Sequence, residues 1–410
     1  MVDANSDAAE LTPETKRLAY RNIGLLAGAQ ALAGSSQAVV ISVAALAAAS
    51  LAPDPSLATV PVTAMVIGLA LTAGPATGVI YTLGRTRGFM VGASAAILAG
   101  IVAAVGLIQA SFVIFCLAMF MVGMSAAFGQ QYRFAIADSV PGPLKSRAIS
   151  LVLLGGVAAG FLGPRLSYIT KDWLGAEFAG SFVALSMIAF VALVIIGFTR
   201  LAPVLKPEKG SDRGRPLKTL IKSPTVFIPI VTSVLAYALM NFVMVAAPLA
   251  MVYVCGHSTE AATTAIQWHI VAMFLPSLFT GFIIQRIGTH LTVAIGLALI
   301  IMSAAVNLNG ITVTHFNISM VLLGLGWNFG FIGSTALLTK SYRPEEAGRV
   351  QAMNEMCVFG SMAIASITSG VLLNTLGWET INILVLPLAT IGIALLAWDQ
   401  FRRSDAMAAA

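Results

Sequence analysis

Charge is scarce in this sequence. Only 10% of its 410 residues are Asp, Glu, Lys or Arg, against about 25% in a soluble domain. With 58% hydrophobic residues and a mean hydropathy of +0.91, such a chain cannot cover itself with polar surface, which excludes a soluble globular protein. Cysteine is nearly absent. Cys116, Cys255 and Cys357 lie far apart and match no metal or redox spacing. Histidine is limited to positions 257, 269, 290 and 315, scattered over different segments, so a membrane-embedded metalloenzyme finds no ligand cluster. No Gly-x-x-x-x-Gly-Lys-Ser/Thr loop is present to cradle nucleotide phosphates. No catalytic residue, metal or cofactor is therefore expected. The net charge of +6 does not point to nucleic acid, because the basic residues fall in short clusters between apolar blocks. The polar, mixed-charge stretch Met1 to Arg21 is unlike a cleaved signal peptide.

What is present is a series of long apolar runs. A spanning helix needs about 20 mostly apolar residues. Twelve such blocks occur near 22–51, 57–83, 88–110, 112–136, 146–170, 177–199, 224–252, 262–285, 290–310, 314–339, 348–374 and 378–398. They are apolar throughout, without the alternation of barrel strands. With the N-terminus placed inside, 21 of the 23 Lys and Arg residues fall on the inner side, and only Arg165 and Lys171 outside. That asymmetry predicts an all-α membrane protein with twelve spans and both ends of the chain in the cytoplasm.

The longest connection, 200–223, is basic and rich in Pro and Gly, and it divides the spans six and six. The expected organisation is a tail at 1–21, a first half at 22–199, a cytoplasmic linker at 200–223, a second half at 224–399 and a tail at 400–410. A faint repeat supports two pseudo-symmetric six-helix halves. Ser139 to Arg147 leads from block four to five, and Ser341 to Arg349 does the same 202 positions later for blocks ten and eleven. Gly281-x-x-x-Gln285-Arg286-x-Gly288 likewise sits where Gly78 to Arg87 sits in the first half.

These features resemble the major facilitator superfamily over nearly the whole chain. The family's loop between helices two and three reads Gly-x-x-x-Asp-Arg-x-Gly-Arg-Lys/Arg. Gly78, Gly84, Arg85 and Arg87 form a degraded version, one residue short, with Thr82 in place of Asp; Gly281, Gln285, Arg286 and Gly288 form the second copy. The resemblance implies a cytoplasmic latch between halves, weakened here by the missing Asp. The run Tyr132-Arg133-Phe134-Ala135-Ile136-Ala137-Asp138, with Arg147-Ala148-Ile149-Ser150, Gly155-Gly156 and Gly163-Pro164, resembles a proteobacterial subgroup associated with vitamin uptake, including riboflavin importers. Drug exporters of the family share the Gly-Pro feature of helix five, but the Arg they carry before Gln-Gly in helix four is absent before Gly129-Gln130-Gln131.

Ionisable groups at membrane depth cost about 2.5–3.5 kcal/mol each on insertion scales, so each needs a reason. Glu355 lies about 12 Å into block eleven and is the leading candidate for a proton-binding carboxylate. Arg133, near the inner end of block four, belongs to the opposite half. A pair between Arg133 and Glu355 that forms when the cytoplasmic side closes would bias alternating access; pairing of Arg133 with Asp138, or of Glu355 with Arg343 or Arg349, is the structural alternative. His269 is a further protonatable candidate, with a hydrogen-bonded structural role as its alternative. The resemblance implies a cavity lined by helices one, four, seven and ten. Their mid-depth polar residues are Gln30, Gln37, Gln130, Gln131, Asn241 and Asn328, with Tyr132, Trp268 and Trp327 nearby to stack on a flat ring. Each amide equally suits helix-to-helix hydrogen bonding.

The expectation is a monomeric secondary transporter in the bacterial inner membrane. It would move a small, mostly neutral organic solute such as riboflavin by alternating access, with the proton as candidate coupling ion. Efflux of drugs or metabolites, and a non-transporting receptor or scaffold, are the competing readings.

Overall fold

The computed structural model describes residues 13–141, 144–203 and 214–408. Residues 1–12 of the expected N-terminal tail, Lys206, Lys209 and Arg213 of the expected linker, and residues 409–410 lie outside the described residues. All regular elements are helical, with no strand among the described residues. The first half comprises α1 (Pro13–Ala49), α2 (Val60–Leu83), α3 (Arg85–Ile108), α4 (Phe112–Gly129), α5 (Tyr132–Ser139), α6 (Lys145–Thr170) and α7 (Ala179–Gly197). A short helix, α8 (Leu217–Lys222), closes the linker. The second half comprises α9 (Pro224–Leu249), α10 (Thr259–Phe274), α11 (Ser277–Ile287), α12 (Thr289–Asn309), α13 (Val313–Thr339) and α14 (Ala347–Ala408).

Ten of these segments are long and apolar enough to cross a bilayer, and eleven if the bent pair α10 and α11 is one crossing. The remaining difference from twelve lies in α14. Its 62 residues would extend about 90 Å if straight, three times the hydrocarbon thickness. Gly377 breaks it at φ 81°, where an L side chain is strained. Beyond the break the chain folds back along α12. Asn307 at one end of α12 donates to Asn382 (2.8 Å), and His290 at the other end meets buried Asp399 (3.0 Å). Counting the two arms separately would bring the number of apolar runs to twelve. Block eight departs from the expected single helix, because Pro276 interrupts it and bends its two parts by 47°. Block four is likewise divided at Gln130 and Gln131 into α4 and α5.

The repeat is visible in the backbone. Gly84 is the whole connection between α2 and α3, with φ 83° and ψ 162°; Gly288 joins α11 to α12 with φ 85° and ψ 162°. Each donates its N–H to the carbonyl four residues back, at 3.0 Å. Both turns need the left-handed φ that glycine tolerates.

The start of α1, the linker and the end of α14 share one end of the bundle, called here the terminal face. Asn22 exchanges two hydrogen bonds with the backbone of Arg200 (2.7 and 3.1 Å), fastening the linker's start to α1. The linker's other end is fastened to the second half. Buried Glu346 accepts from the Arg215 backbone N–H (2.9 Å), Nε (2.7 Å) and Nη2 (2.7 Å), and from the Arg343 N–H (2.9 Å).

The apolar packing is asymmetric. One large core unites residues of both halves, among them Val43, Leu46, Phe115 and Phe182 with Val243, Met251, Phe316 and Trp378. Towards the terminal face the cores are mostly separate, with Ile23, Phe89, Tyr132 and Ile136 in the first and Leu220, Val226, Val350 and Met353 in the second, bridged by Phe359 against the first and by Val66 against Val358 and Met362. The bundle is thus joined at the distal face and divided at the terminal face. Trp378, whose sequence position suits a headgroup belt, is instead buried against Phe316 at 5.4 Å between ring centres.

Candidate functional site

Alternating access needs a closed end, an open end and a solute site between them. The closed end is distal. Among the described residues, three polar contacts cross between the halves there. Tyr168 of α6 donates to Glu260 of α10 (3.3 Å), Arg165 of α6 approaches the same carboxylate (3.7 Å), and Tyr253 donates to the Leu46 carbonyl (3.4 Å). Arg165, which position alone leaves as an interfacial residue, takes part in this latch. Sequence reasoning missed Glu260 because its partners lie some 90 residues away.

At the divided end, Arg133 of α5 lies within electrostatic reach of Glu355 on α14 and of Tyr237 on α9. Arg133 belongs to the first half and its two neighbours to the second. Their separation exceeds ion-pair distance, since the ion pairs within 4.0 Å among the described residues do not include them. The Arg133 guanidinium sits 4.8 Å from the Phe134 ring, and its Nε is buried without a partner. The alternative pairings do not occur. Asp138 is engaged by Arg85 (2.5 Å), which also donates to the Ala135 carbonyl (3.1 Å), and Arg349 donates to the Arg215 carbonyl. Asp138 therefore ties α3 to α5 within one half rather than standing beside Arg133.

That pair also answers the missing acid of the α2–α3 loop. Arg85 is 8% exposed and takes its carboxylate from α5, while Thr82 bonds back to its own helix. Arg87 is exposed, as are Gly281, Gln285 and Arg286 of the second copy.

Beside Tyr237 lies a cluster of rings. Trp327 and Phe331 of α13, one turn apart, stack at 5.3 Å and 17°. Tyr237 stands edge-on to both, at 5.3 and 4.9 Å. Phe274, the last residue of α10, meets Trp327 at 6.0 Å. The Trp327 indole N–H is buried without an acceptor. Tyr237, Phe331 and Phe274 were not apparent from sequence. The available signals were the position of Tyr237 on a cavity helix and the helical spacing from Trp327 to Phe331.

The other expected site residues divide clearly. Gln30 and Gln37 on α1 are half-buried, and Gln130 is exposed; none makes a side-chain hydrogen bond among the described residues. Gln131 donates to Thr77 (3.3 Å) and lines a lateral cavity of about 530 Å³ with Thr77, Arg85, Phe89, Phe134, Asp138 and Lys145. Those residues all belong to the first half, so this cavity does not lie between the halves. Four of the expected residues are engaged within the helix packing. Tyr132 is buried against Phe89 (4.7 Å) in the first-half core. Asn241 donates to the Met362 carbonyl (3.1 Å), joining α9 to α14. Asn328 is fully buried and bonded to Met273, Ser277 and Thr280. Trp268 packs on Phe161 of the first half at 5.8 Å, outside the ring cluster. For Tyr132, Asn241 and Asn328, burial left a polar or aromatic group that a neighbouring helix could satisfy, whereas Trp268 is 44% exposed. His269 is also buried, its Nδ1 2.9 Å from the Met320 carbonyl and its Nε2 unpartnered.

The Glu346 clamp lies outside the spans and is pH-sensitive. The Arg215 side chain, then the Arg343 N–H, hold its carboxyl well below the usual range, against the opposing effect of burial. A depressed folded-state pKa stabilises above the unfolded value and is lost as pH falls through the folded one. The ordinary value being 4.5, the clamp is complete at neutral pH and weakens only in acid. Glu346→Gln is expected to lower the thermal midpoint in detergent at pH 7, with the two proteins converging as the pH falls well below 4.5. Scanning fluorimetry across pH would read this out, and parallel curves would refute it.

The Major Facilitator Superfamily profile matches residues 26–357 and 230–406. The chain is 44% identical over 375 residues to the riboflavin transporter RfnT of Brucella anthropi, covering 91% of this chain and 94% of that one. It is 26% identical over 336 residues to an uncharacterized MFS-type transporter, YdeG, of Bacillus subtilis, covering 78% and 77%. Among solved structures, the xylose transporter XylE of E. coli, in a partially occluded inward-open conformation, superposes with a TM-score of 0.71 at 15% identity, covering 93% of this chain and 98% of that one. The POT family transporter PepTSo superposes equally well, with a TM-score of 0.71 at 12% identity over 94% and 98%. By the profile match along the chain and the 44% identity over nearly its whole length, this chain belongs to the major facilitator superfamily and is a secondary transporter.

Proposed function

We propose that this transporter carries riboflavin, or a flavin of closely similar shape, into the bacterial cell across the inner membrane, with the terminal face cytoplasmic. The observation that carries the proposal is the 44% identity to a riboflavin transporter over nearly the full length of both chains. The ring cluster supports it. A tricyclic ring system is large, flat and apolar on its faces, and Trp327, Phe331 and Tyr237 offer faces and edges of that kind. The polyhydroxyl side chain of riboflavin requires hydrogen bonds rather than charges, which suits the free amides of Gln30 and Gln37 on α1.

Alternating access then follows from the two ends. The Glu260 latch and the shared apolar core hold the distal side closed in this state. Closure of the terminal side brings Arg133 up to Glu355, replacing the lost distal contacts with a cross-half charge pair. Glu355 is the group proposed to take up a proton, because a carboxylate near an arginine that approaches and departs changes its proton affinity in each cycle. The chain functions as a monomer in this reading.

The deciding experiment expresses the chain in a riboflavin auxotroph and measures growth and labelled-riboflavin uptake, with and without an uncoupler. Expected are rescue at low external vitamin and loss of accumulation with the uncoupler. Correctly inserted protein that gives no uptake would overturn the import reading, and resistance to amphipathic drugs in its place would establish efflux.

A further inference from the structure

The break between α10 and α11 is held in an unusual way. Pro276 has no N–H, so the backbone ladder is interrupted there. The N–H missing at Pro276 would have served the Ala272 carbonyl; the next one, that of Met273, is left without a helical donor by the bend and is satisfied from another helix. Asn328 of α13 donates its Nδ2 to it at 2.6 Å. The same nitrogen donates to the Ser277 Oγ on the far side of the break, also at 2.6 Å. Thr280, one turn further on, presents its hydroxyl to the Asn328 Oδ1 at 2.5 Å and to the Pro276 carbonyl at 2.8 Å. One side chain thus grips both arms of the broken crossing.

The two arms are held differently elsewhere. α10 buries nine residues, whereas in α11 only Thr280 is buried, the residue that meets Asn328. Phe279 and Phe282 of α11 are 62% and 63% exposed within the protein. α11 is therefore lightly packed, touching α12 and α13, with its one buried residue held by Asn328, and it ends towards the terminal face. The junction adjoins the ring cluster on two sides. Trp327 precedes Asn328, and Phe274 precedes the break. Phe274 also reaches the first half, where a Cβ on Gly156 would stand 2.9 Å from its ring.

We propose that Asn328 is the pivot of a hinge at Phe274–Ser277. Through it, occupancy of the Trp327 ring cluster moves α11 and so opens or closes the terminal side. Asn328 is a positioning residue in this scheme and does not touch the solute. A solute stacking on Trp327 displaces Phe274, and the hinge carries that displacement to an arm with little other packing to resist it. The identity of the solute is taken from the proposal above, but the hinge itself does not depend on it.

The test uses Thr280→Val, which keeps the shape and removes one bond to the pivot, with Thr280→Ser as the conservative restoration. Asn328→Leu is the stronger variant. Riboflavin is the probe for binding and for uptake into proteoliposomes. Hinge motion is read without ligand, from the distance distribution between spin labels at Gly281 and Lys340, in a background with Cys116, Cys255 and Cys357 replaced. Gly281 has open space around it and Lys340 is exposed. Expected for Thr280→Val are a broader distance distribution, riboflavin binding within about threefold of wild type, and uptake slowed about 5- to 10-fold, with Thr280→Ser close to wild type. An unbroadened distribution with a wild-type rate would overturn the proposal. So would equal losses of binding and uptake, which would make the pivot a support of the site alone. If the wild type neither binds nor moves riboflavin, the substrate reading fails, and the label distances still decide the hinge.

Discussion

Glu355→Gln is expected to abolish accumulation of the solute, lowering net uptake about 100-fold, while leaving exchange of labelled for unlabelled solute across the membrane largely intact. The reasoning runs through the charge pair. A glutamine imitates a permanently protonated glutamate, so a carrier that needs to release the proton stalls. One that only exchanges solute never completes that release and continues. Arg133→Gln should behave differently. It leaves a carboxylate at membrane depth with no cross-half partner, so net uptake and exchange fall together, by about 10-fold or more. The charge-swapped double variant, Arg133→Glu with Glu355→Arg, should recover part of the exchange lost in the single Arg133→Glu variant, because the attraction across the halves is restored. Initial-rate and counterflow measurements in proteoliposomes separate the cases. If both single variants accumulate the solute normally, neither group gates or couples transport.

The second large effect is expected at Trp327. Removing the ring by Trp327→Ala deletes the stacked partner of Phe331 and the edge contacts with Tyr237 and Phe274. Stacking of a flat heterocycle on one aromatic side chain is worth about 1–3 kcal/mol, so affinity for riboflavin should fall about 5- to 150-fold. Trp327→Phe keeps a ring and loses the N–H. A loss of affinity in that variant would mean that the unpartnered indole N–H hydrogen-bonds the solute. Direct binding, read from quenching of flavin fluorescence, checks both. An unchanged affinity in Trp327→Ala would place the flavin site elsewhere in the bundle.

Much of the fold was legible because lipid imposes simple rules. Each crossing must satisfy its own backbone, so it appears as a long apolar run, and the charge asymmetry of the connections orients the runs. The breaks were harder to read. Pro276 marks the interruption of block eight, but proline is tolerated within crossings, as Pro75, Pro164 and Pro229 show, so the residue alone does not announce a bend. Gly377 is similar. Its significance lies in φ, which depends on the second arm folding back along α12.

The site was legible only in part, for a physical reason. A polar group in an apolar bundle must find a partner, and sequence identifies the need without identifying the partner. Gln30, Asn241 and Asn328 look alike as amides on cavity helices. In the folded protein Asn241 and Asn328 are consumed by helix contacts, and Gln30 is not. Arg133 and Glu355 could be placed opposite one another because each was costly and each lay on a different half. Asp138 shares a short helix with Arg133 and is near it in sequence, yet it turns instead to Arg85 of α3. Arg85 also takes the Ala135 carbonyl of that helix, at 3.1 Å, so the pairing is fixed by how α3 lies against α5.

The sequence by itself determined the class of protein, the order of its apolar runs and the two costly charges, because each of these follows from what a hydrocarbon layer excludes. Only the tertiary structure decided which polar groups remain free, where the closed end lies, and which rings gather around Trp327. Those depend on which helix faces meet across hundreds of positions, and a hydrogen bond or a ring contact is satisfied by proximity in space, whatever the separation along the chain.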